Sequence, residues 1–393
     1  MTISNGTKRR VYFDHNATTY ARDEVVAAML PFFRERFGNA SSVHSFGQEN
    51  HDAIDEARRR VASLINAEPE EVIFTSGGTE SDNLAVRGSV RARRRGGKAS
   101  HIVTSEIEHP AVLKTCQDLE AEGHRVSYVP CDANGIVRLD LLERAVSSET
   151  VIVSIMLANN ETGVIQPIRE ISSLVHRRGV PLHVDAVQGV GKIPVDVDDL
   201  GADFLSLSAH KFYGPKGIGA LYVRRGSSLE PVYTGGSHEC GLRPGTENVP
   251  GIVGLGEAAR ITKRELPIEM DRIGRLRDRL ERGVLGRVAD TVVAGAKSPR
   301  VPNTSGIVVS RVEGEAITLR LSMLGFAISS GSACSSGASE PSHVLLAMGF
   351  DPAIAQGGIR ISLGIVNTVE EVDEFLELLP GVVERLRELS PLT

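Results

Sequence analysis

Lys211 stands in Ser206-Leu-Ser-Ala-His-Lys-Phe-Tyr-Gly-Pro-Lys-Gly217, where an apolar run at 202–207 delivers it into a turn rich in Gly and Pro. A second apolar run, 218–223, leaves that turn. A lysine placed at a strand end among small residues suits imine chemistry. Lys211 supplies the amine, while Ser208 and His210 can donate hydrogen bonds to an anion. Upstream, His183-Val-Asp-Ala-Val-Gln188 closes an alternating apolar strand with the carboxylate of Asp185. Such a carboxylate can keep a pyridine nitrogen protonated, so the two motifs together point to pyridoxal phosphate (PLP). A third motif, Glu71-Val-Ile-Phe-Thr-Ser-Gly-Gly-Thr-Glu80, is a strand, a Gly-rich turn and a helix start. A helix beginning beyond Gly78 and Thr79 offers free N–H groups and a positive dipole end, which suit a phosphate. Its spacing is not the G-x-G-x-x-G of dinucleotide sites.

These residues need a frame that brings them together. The pattern predicts a strand at 11–14, a polar turn at 15–19, and helices at 23–37 and 47–65. Strands and helices then alternate from 71 to 211: strands at 101–104, 126–129, 151–156 and 181–184, helices at 80–95, 111–122, 139–146 and 168–178. That alternation predicts an α/β fold whose sheet is mostly parallel with helices on both faces. Ligands in such sheets gather at the carboxyl ends of strands. Gly78, Thr79, His109, Asn160, Asp185, Gln188 and the stretch 208–211 all fall there. From about 251 the pattern changes, with a long helix predicted at 267–285, short strands near 292, 307 and 326, and helices at 315–324 and 369–389. The division that follows is a large domain at 16–262 and a smaller α+β domain built from 1–15 and 263–393.

The 393 residues suffice for two such units, and a net charge of −6 argues against a general nucleic-acid surface. The basic run 91–95 is short and lacks aromatic neighbours, as at a solvated helix end. No stretch is long enough to span a membrane, and the first ten residues lack the apolar core of a signal peptide. Cys116, Cys131, Cys240 and Cys334 form neither a CxxC pair nor a zinc pattern, which predicts a reducing, cytoplasmic setting.

Assembled in order, these motifs resemble the cysteine desulfurases of NifS/IscS type, in the class V aminotransferase family. The likeness runs from Tyr12-Phe-Asp14 to the chain's end. It takes in Ala17-Thr-Thr19, Thr75-Ser-Gly-Gly-Thr-Glu80, Glu108-His-Pro-Ala-Val112, Ala158-Asn-Asn-Glu-Thr-Gly163, the Asp185 and Lys211 motifs, Gly245-Thr-Glu-Asn248, Ser329-Ser-Gly-Ser-Ala-Cys334 and Ile359-Arg-Ile-Ser-Leu363.

The resemblance implies a PLP-dependent transferase of fold type I that takes sulfur from L-cysteine, leaving L-alanine and a persulfide on Cys334. Lys211 would hold the cofactor and move protons, Asp185 would face the ring nitrogen, and His109 would lie against the ring. Asn160 and Gln188 would approach the ring oxygen. Gly78, Thr79, Ser208 and His210 would hold the phosphate, with Thr246 reaching in from the second subunit of a homodimer. Arg360 would clamp the substrate carboxylate, with Asn160 beside it. The small residues around Cys334 would let its thiol swing by roughly 20 Å to an iron–sulfur scaffold or another sulfur acceptor. No metal site is implied beyond a transient cluster ligand at Cys334. A selenocysteine lyase, or a PLP-bound scaffold for iron–sulfur assembly, is the alternative on the same residues. Cys240 departs from the family, which usually has Arg there, and Cys116 and Cys131 have the setting of packed, inert thiols.

Overall fold

The computed structural model describes residues 10–93, 99–331 and 340–389. After a short strand β1 (Val11–Tyr12), the central sheet takes β2 (Val72–Thr75), β3 (His101–Ser105), β4 (Arg125–Val129), β5 (Thr150–Met156), β6 (Leu182–Asp185), β7 (Phe204–Ser208) and β8 (Gly219–Val223). Their spatial order is β2-β8-β7-β6-β5-β3-β4. Pairing is parallel from β7 through β4, and β8 is antiparallel to both neighbours. Two reversals restore the sense of β2, so its carboxyl end shares a rim with those of β5, β6 and β7. Strands β3, β5, β6 and β7 are buried at every residue, polar ones included, because both sheet faces are covered.

The covering helices are α1 (Asp23–Met29), α2 (Ser45–Ile65), α3 (Gly78–Arg93), α4 (Pro110–Ala121), α5 (Leu139–Ala145), α6 (Ile168–His176), the single turn α7 (Val197–Leu200) and α8 (Val249–Arg287). Two of them depart from the sequence reading. The first stops at Met29 and continues as a 3-10 turn, Leu30–Phe33, because Pro31 has no N–H to extend the α-helical ladder. The long helix begins at Val249 rather than 267 and runs through Pro267. The proline is tolerated because residues 263–272 are not buried, so the helical bond it cannot make is not lost inside a core. Before that segment α8 packs Ile252, Leu255 and Ala259 into the core around the central sheet. After it, Ile273, Leu276, Leu280 and Val284 enter a second core.

That second core is built by β9 (Thr291–Val293), β10 (Thr304–Val309), α9 (Gly314–Leu324), β11 (Phe326–Ala327), β13 (Gly358–Ser362) and α12 (Val369–Leu389), with β12 (Ser329–Ser330) at the edge of its sheet. The short helices α10 (His343–Ala347) and α11 (Pro352–Ala355) instead place Val344, Leu345 and Ala355 in the first core. An antiparallel sheet runs β12-β13-β10-β9, and β1 pairs in parallel with β11. Phe13, Phe326 and Phe375 meet at ring-centroid distances of 5.6–5.7 Å and bind the N-terminal segment to this core. Strand β13 alternates: Ile359 and Ile361 enter the core, while Arg360 and Ser362 lie on the other face, towards the central sheet.

Candidate active site

The carboxyl rim of the central sheet, the turn after β1, and β12 and β13 enclose a cavity of about 490 Å³. It is lined by Gly78, Thr79, His109, Asn160, Asp185, Gln188, Ser208, His210, Lys211 and Arg360, so the fold brings ten sequence-predicted site residues to one place.

Lys211 ends a 3-10 turn, Ala209–Lys211, directly after β7. The return is tight: a Cβ on Gly214 would lie 2.8 Å from that of Ala209. The Lys211 ammonium donates to the carbonyls of Asn16 at 2.7 Å and Ala17 at 2.9 Å. Asp185 terminates β6 with 5% exposure, and its Oδ1 accepts one backbone N–H, from Val187 at 3.0 Å. Burial raises its pKa, while His109 and Lys211 pull the other way. A buried carboxylate with so little local compensation suits a cationic ring N–H as its partner. Behind it, the buried His183 ring bridges Ser154 Oγ at 2.8 Å and Ser206 Oγ at 2.9 Å. Burial lowers its pKa to about 3, so this support carries no charge.

His109 caps α4, its Nδ1 accepting from the N–H of Ala111 at 3.1 Å. An accepting Nδ1 puts the ring proton on Nε2. Burial lowers the pKa of His109, Asp185 raises it, and Lys211 and His343 lower it further. At the phosphate end, α3 opens at Gly78, where a Cβ would lie 2.7 Å from Val187 Cγ2 and 3.8 Å from Ser208 Cβ. Only glycine leaves that cradle open at the helix N-terminus. His210 bonds Thr18 Oγ1 at 3.0 Å, and burial holds its pKa at about 4. Its ring is therefore neutral.

Arg360, 5% exposed, spans the cavity's far side. It donates to Asp14 Oδ1 at 2.8 Å and to the carbonyl of Asn160 at 3.2 Å, while its buried Nε has no partner among the described residues. The phosphate cradle, the buried acid, the lysine amine and the uncommitted guanidinium donors of Arg360 form a set that fits PLP carrying an amino acid.

Two predicted residues are not part of this set. Thr246 lines a separate cavity of about 770 Å³ that shares Thr79 with the first. Cys334 lies outside the described residues. Cys116 and Cys131 are buried, and burial pushes their thiols up to about 12 and about 11. Cys240 is exposed, in the left-handed region at φ 57° beside Glu239 at φ 46°. Glu239 is tied in place by a two-point ion pair with Arg58 and by the N–H of Phe74. No cluster of three metal-ligating side chains occurs among the described residues.

Sequence reasoning missed the hub of the site. The carbonyl of Asn16 holds Lys211 and, at 3.1 Å, Gln188 Nε2; its Nδ2 donates to the Asn160 carbonyl at 3.0 Å and to Thr304 Oγ1 at 2.8 Å. Asp14, Lys192 and Ser329 were missed as well. The available signal was the polar run 15–19 directly after a strand, which marked a turn near a ligand without saying which side chain would organise it.

The aminotransferase class-V family model matches residues 11–375. A cysteine desulfurase IscS from Dictyoglomus turgidum is 48% identical over 384 residues, covering 98% of this chain and 97% of its own. A solved NifS-like protein superposes with a TM-score of 0.89 at 40% identity, covering 96% of this chain and 100% of its own. SspA, solved in complex with cysteine, gives a TM-score of 0.80 at 36% identity over 91% of this chain and 99% of its own.

Proposed function

Because the chain belongs to the aminotransferase class-V family, we propose that it is a PLP-dependent cysteine desulfurase. It converts L-cysteine to L-alanine and passes the sulfur through a persulfide on Cys334 to iron–sulfur cluster assembly or other acceptors. The observation that carries this reading is the single cavity in which Lys211, Asp185, His109 and Arg360 converge. When bound there, PLP draws electrons from the substrate's α-carbon.

The chain's own groups do the rest. Gly78, Thr79, Ser208 and His210 hold the phosphate, and Asp185 keeps the ring nitrogen protonated. Arg360 takes the substrate carboxylate through the N–H donors that Asp14 and Asn160 leave free, which fixes the α-carbon near Lys211. The Lys211 amine accepts the α-proton and later returns a proton to carbon. His109, neutral with its proton on Nε2, is placed to pass protons at the reacting carbons. The Cys334 thiolate attacks the substrate sulfur: an S–S bond forms, the carbon–sulfur bond breaks, and its electron pair stays on carbon, which is then protonated to give alanine.

The second subunit belongs to the same proposal. Leu30, Phe33, Phe37, Val43 and Phe46 are exposed by 51–93% within one short stretch, a patch suited to burial against another copy. Thr246 would act across that contact. The domain division at 262/263 is proposed likewise. It is supported by the change of core along α8. No helix among the described residues is long and apolar enough to cross a membrane, and a cytoplasmic location is proposed with the rest. The test is alanine formation from L-cysteine by the PLP-loaded protein in the presence of a reducing thiol. Turnover of selenocysteine with no turnover of cysteine would replace the reading by a lyase.

A further inference from the structure

We propose that Lys192 is a positioning residue that sets which end of the Gln188 side-chain amide faces the cofactor cavity; this rests on the PLP reading above. Lys192 is only 7% exposed, and among the described residues it forms no salt bridge. Its Nζ donates instead to two neutral oxygens, Asn16 Oδ1 at 2.7 Å and Gln188 Oε1. A lysine buried without a carboxylate is a costly arrangement. Burial pushes its pKa well below the usual range, and Lys211 and Arg360 push it further. Both partners are acceptors, so Lys192 donates to both in either charge state.

An isolated glutamine amide presents its oxygen or its nitrogen with little preference. With Lys192 behind it, Oε1 is engaged and Nε2 must point the other way. There Nε2 donates to the Asn16 carbonyl at 3.1 Å, the acceptor that also holds Lys211 Nζ. Asn16 is ordered by the same lysine. Its Oδ1 also takes Asn303 Nδ2 at 3.0 Å, which commits its Nδ2 to the Asn160 carbonyl and Thr304. The amide end turned to the cavity is therefore a donor, the polarity that an anionic ring oxygen requires. The opposite orientation would set two oxygens against each other.

The test is a double-mutant cycle of Lys192→Met and Gln188→Ala, read by PLP affinity of the apoprotein and by the lysine-linked visible band. Each single variant is expected to weaken PLP binding by roughly 3- to 10-fold, about one net hydrogen bond, and to shift the band. The double variant should match Gln188→Ala within about twofold, because a residue acting through Gln188 has no further effect once Gln188 is gone. Gln188→Glu adds a readout that packing alone would not move: its carboxylate still accepts from Lys192 but turns an oxygen, not a donor, towards the Asn16 carbonyl and the cavity, so PLP binding should fall further than in Gln188→Ala. If Lys192→Met fails to fold, Lys192→Gln replaces it in the cycle. Losses that multiply in the double variant, or unchanged binding by the Lys192 variant, overturn the proposal. A wild-type protein that shows no lysine-linked band overturns the PLP reading, and this one with it.

Discussion

Replacing Arg360 with alanine tests the substrate clamp, and the structure sets its size. The guanidinium is held by Asp14 at 2.8 Å and by the Asn160 carbonyl at 3.2 Å, with buried Nε left over. Alanine removes the donor meant for the substrate and leaves Asp14 facing the incoming carboxylate. Losing a charged hydrogen bond costs about 1.5–3 kcal/mol, so kcat/KM for L-cysteine should fall roughly 10- to 100-fold. Arg360→Lys keeps the charge without the planar fork and should recover only part of the loss. The assay is alanine formation from L-cysteine, run beside cofactor binding and competition by cysteamine, which has the thiol and amine but no carboxylate. Cysteamine should bind wild type and Arg360→Ala alike. Unchanged kinetics with L-cysteine, or an equal loss of cysteamine binding, would refute the clamp.

Lys211→Ala should lose the lysine-linked visible band, and borohydride reduction of wild type should label Lys211; label on another lysine would contradict the assignment. Cys116→Ser should keep desulfurase activity while melting lower, because a buried hydroxyl replaces a packed thiol and costs about 1–3 kcal/mol; loss of turnover in a folded protein would count against it. The fold itself should respond to acid. His183, at about 3, and His15 and His210, each at about 4, stay neutral in the folded protein, whereas the unfolded chain protonates near 6.5. Their folded values are depressed, so the stability tied to neutrality is complete above about 6.5 and is lost as pH falls towards 4. Glu108, raised to about 8, and Glu161, raised to about 7, act in the opposite sense and reduce stability as pH rises from 4.5 through those values. Melting curves of the apoprotein should show a maximum between these limbs, and Glu161→Gln should flatten the alkaline one; a curve unchanged by that substitution would contradict the assignment.

Much of the large unit was legible because its signals are local. Buried strands such as β5, β6 and β7 are rich in apolar residues, and β6 and β7 end in residues whose chemistry stands out, Asp185 and Ser208. What escaped depends on contacts distant in sequence. Asn16 earns its place through Lys192, Gln188, Asn160, Thr304 and Ser362, none of which its neighbours announce. Lys192 looks like any lysine near a Gly turn until burial is known. The start of α8 was hidden because Pro267 reads as a helix beginning, and only the solvated segment between two cores shows why a proline can sit inside. Strand β13 was visible as Ile359-Arg-Ile-Ser-Leu363, yet its alternation became meaningful only when Arg360 was seen to face the cavity and Ser362 to hold the Asn16 N–H.

The central claim is that sulfur leaves cysteine by attack of Cys334. One measurement addresses it directly: alanine formed in a single turnover, compared between wild type and Cys334→Ser, with mass analysis of the peptide carrying residue 334. The account predicts one alanine for each sulfur atom added to Cys334 in wild type. It predicts a variant that still binds PLP and cysteine but forms no alanine, since a serine hydroxyl is a far poorer nucleophile towards sulfur. Alanine production by Cys334→Ser at the wild-type rate would show that the carbon–sulfur bond breaks by another route, and the account would fail.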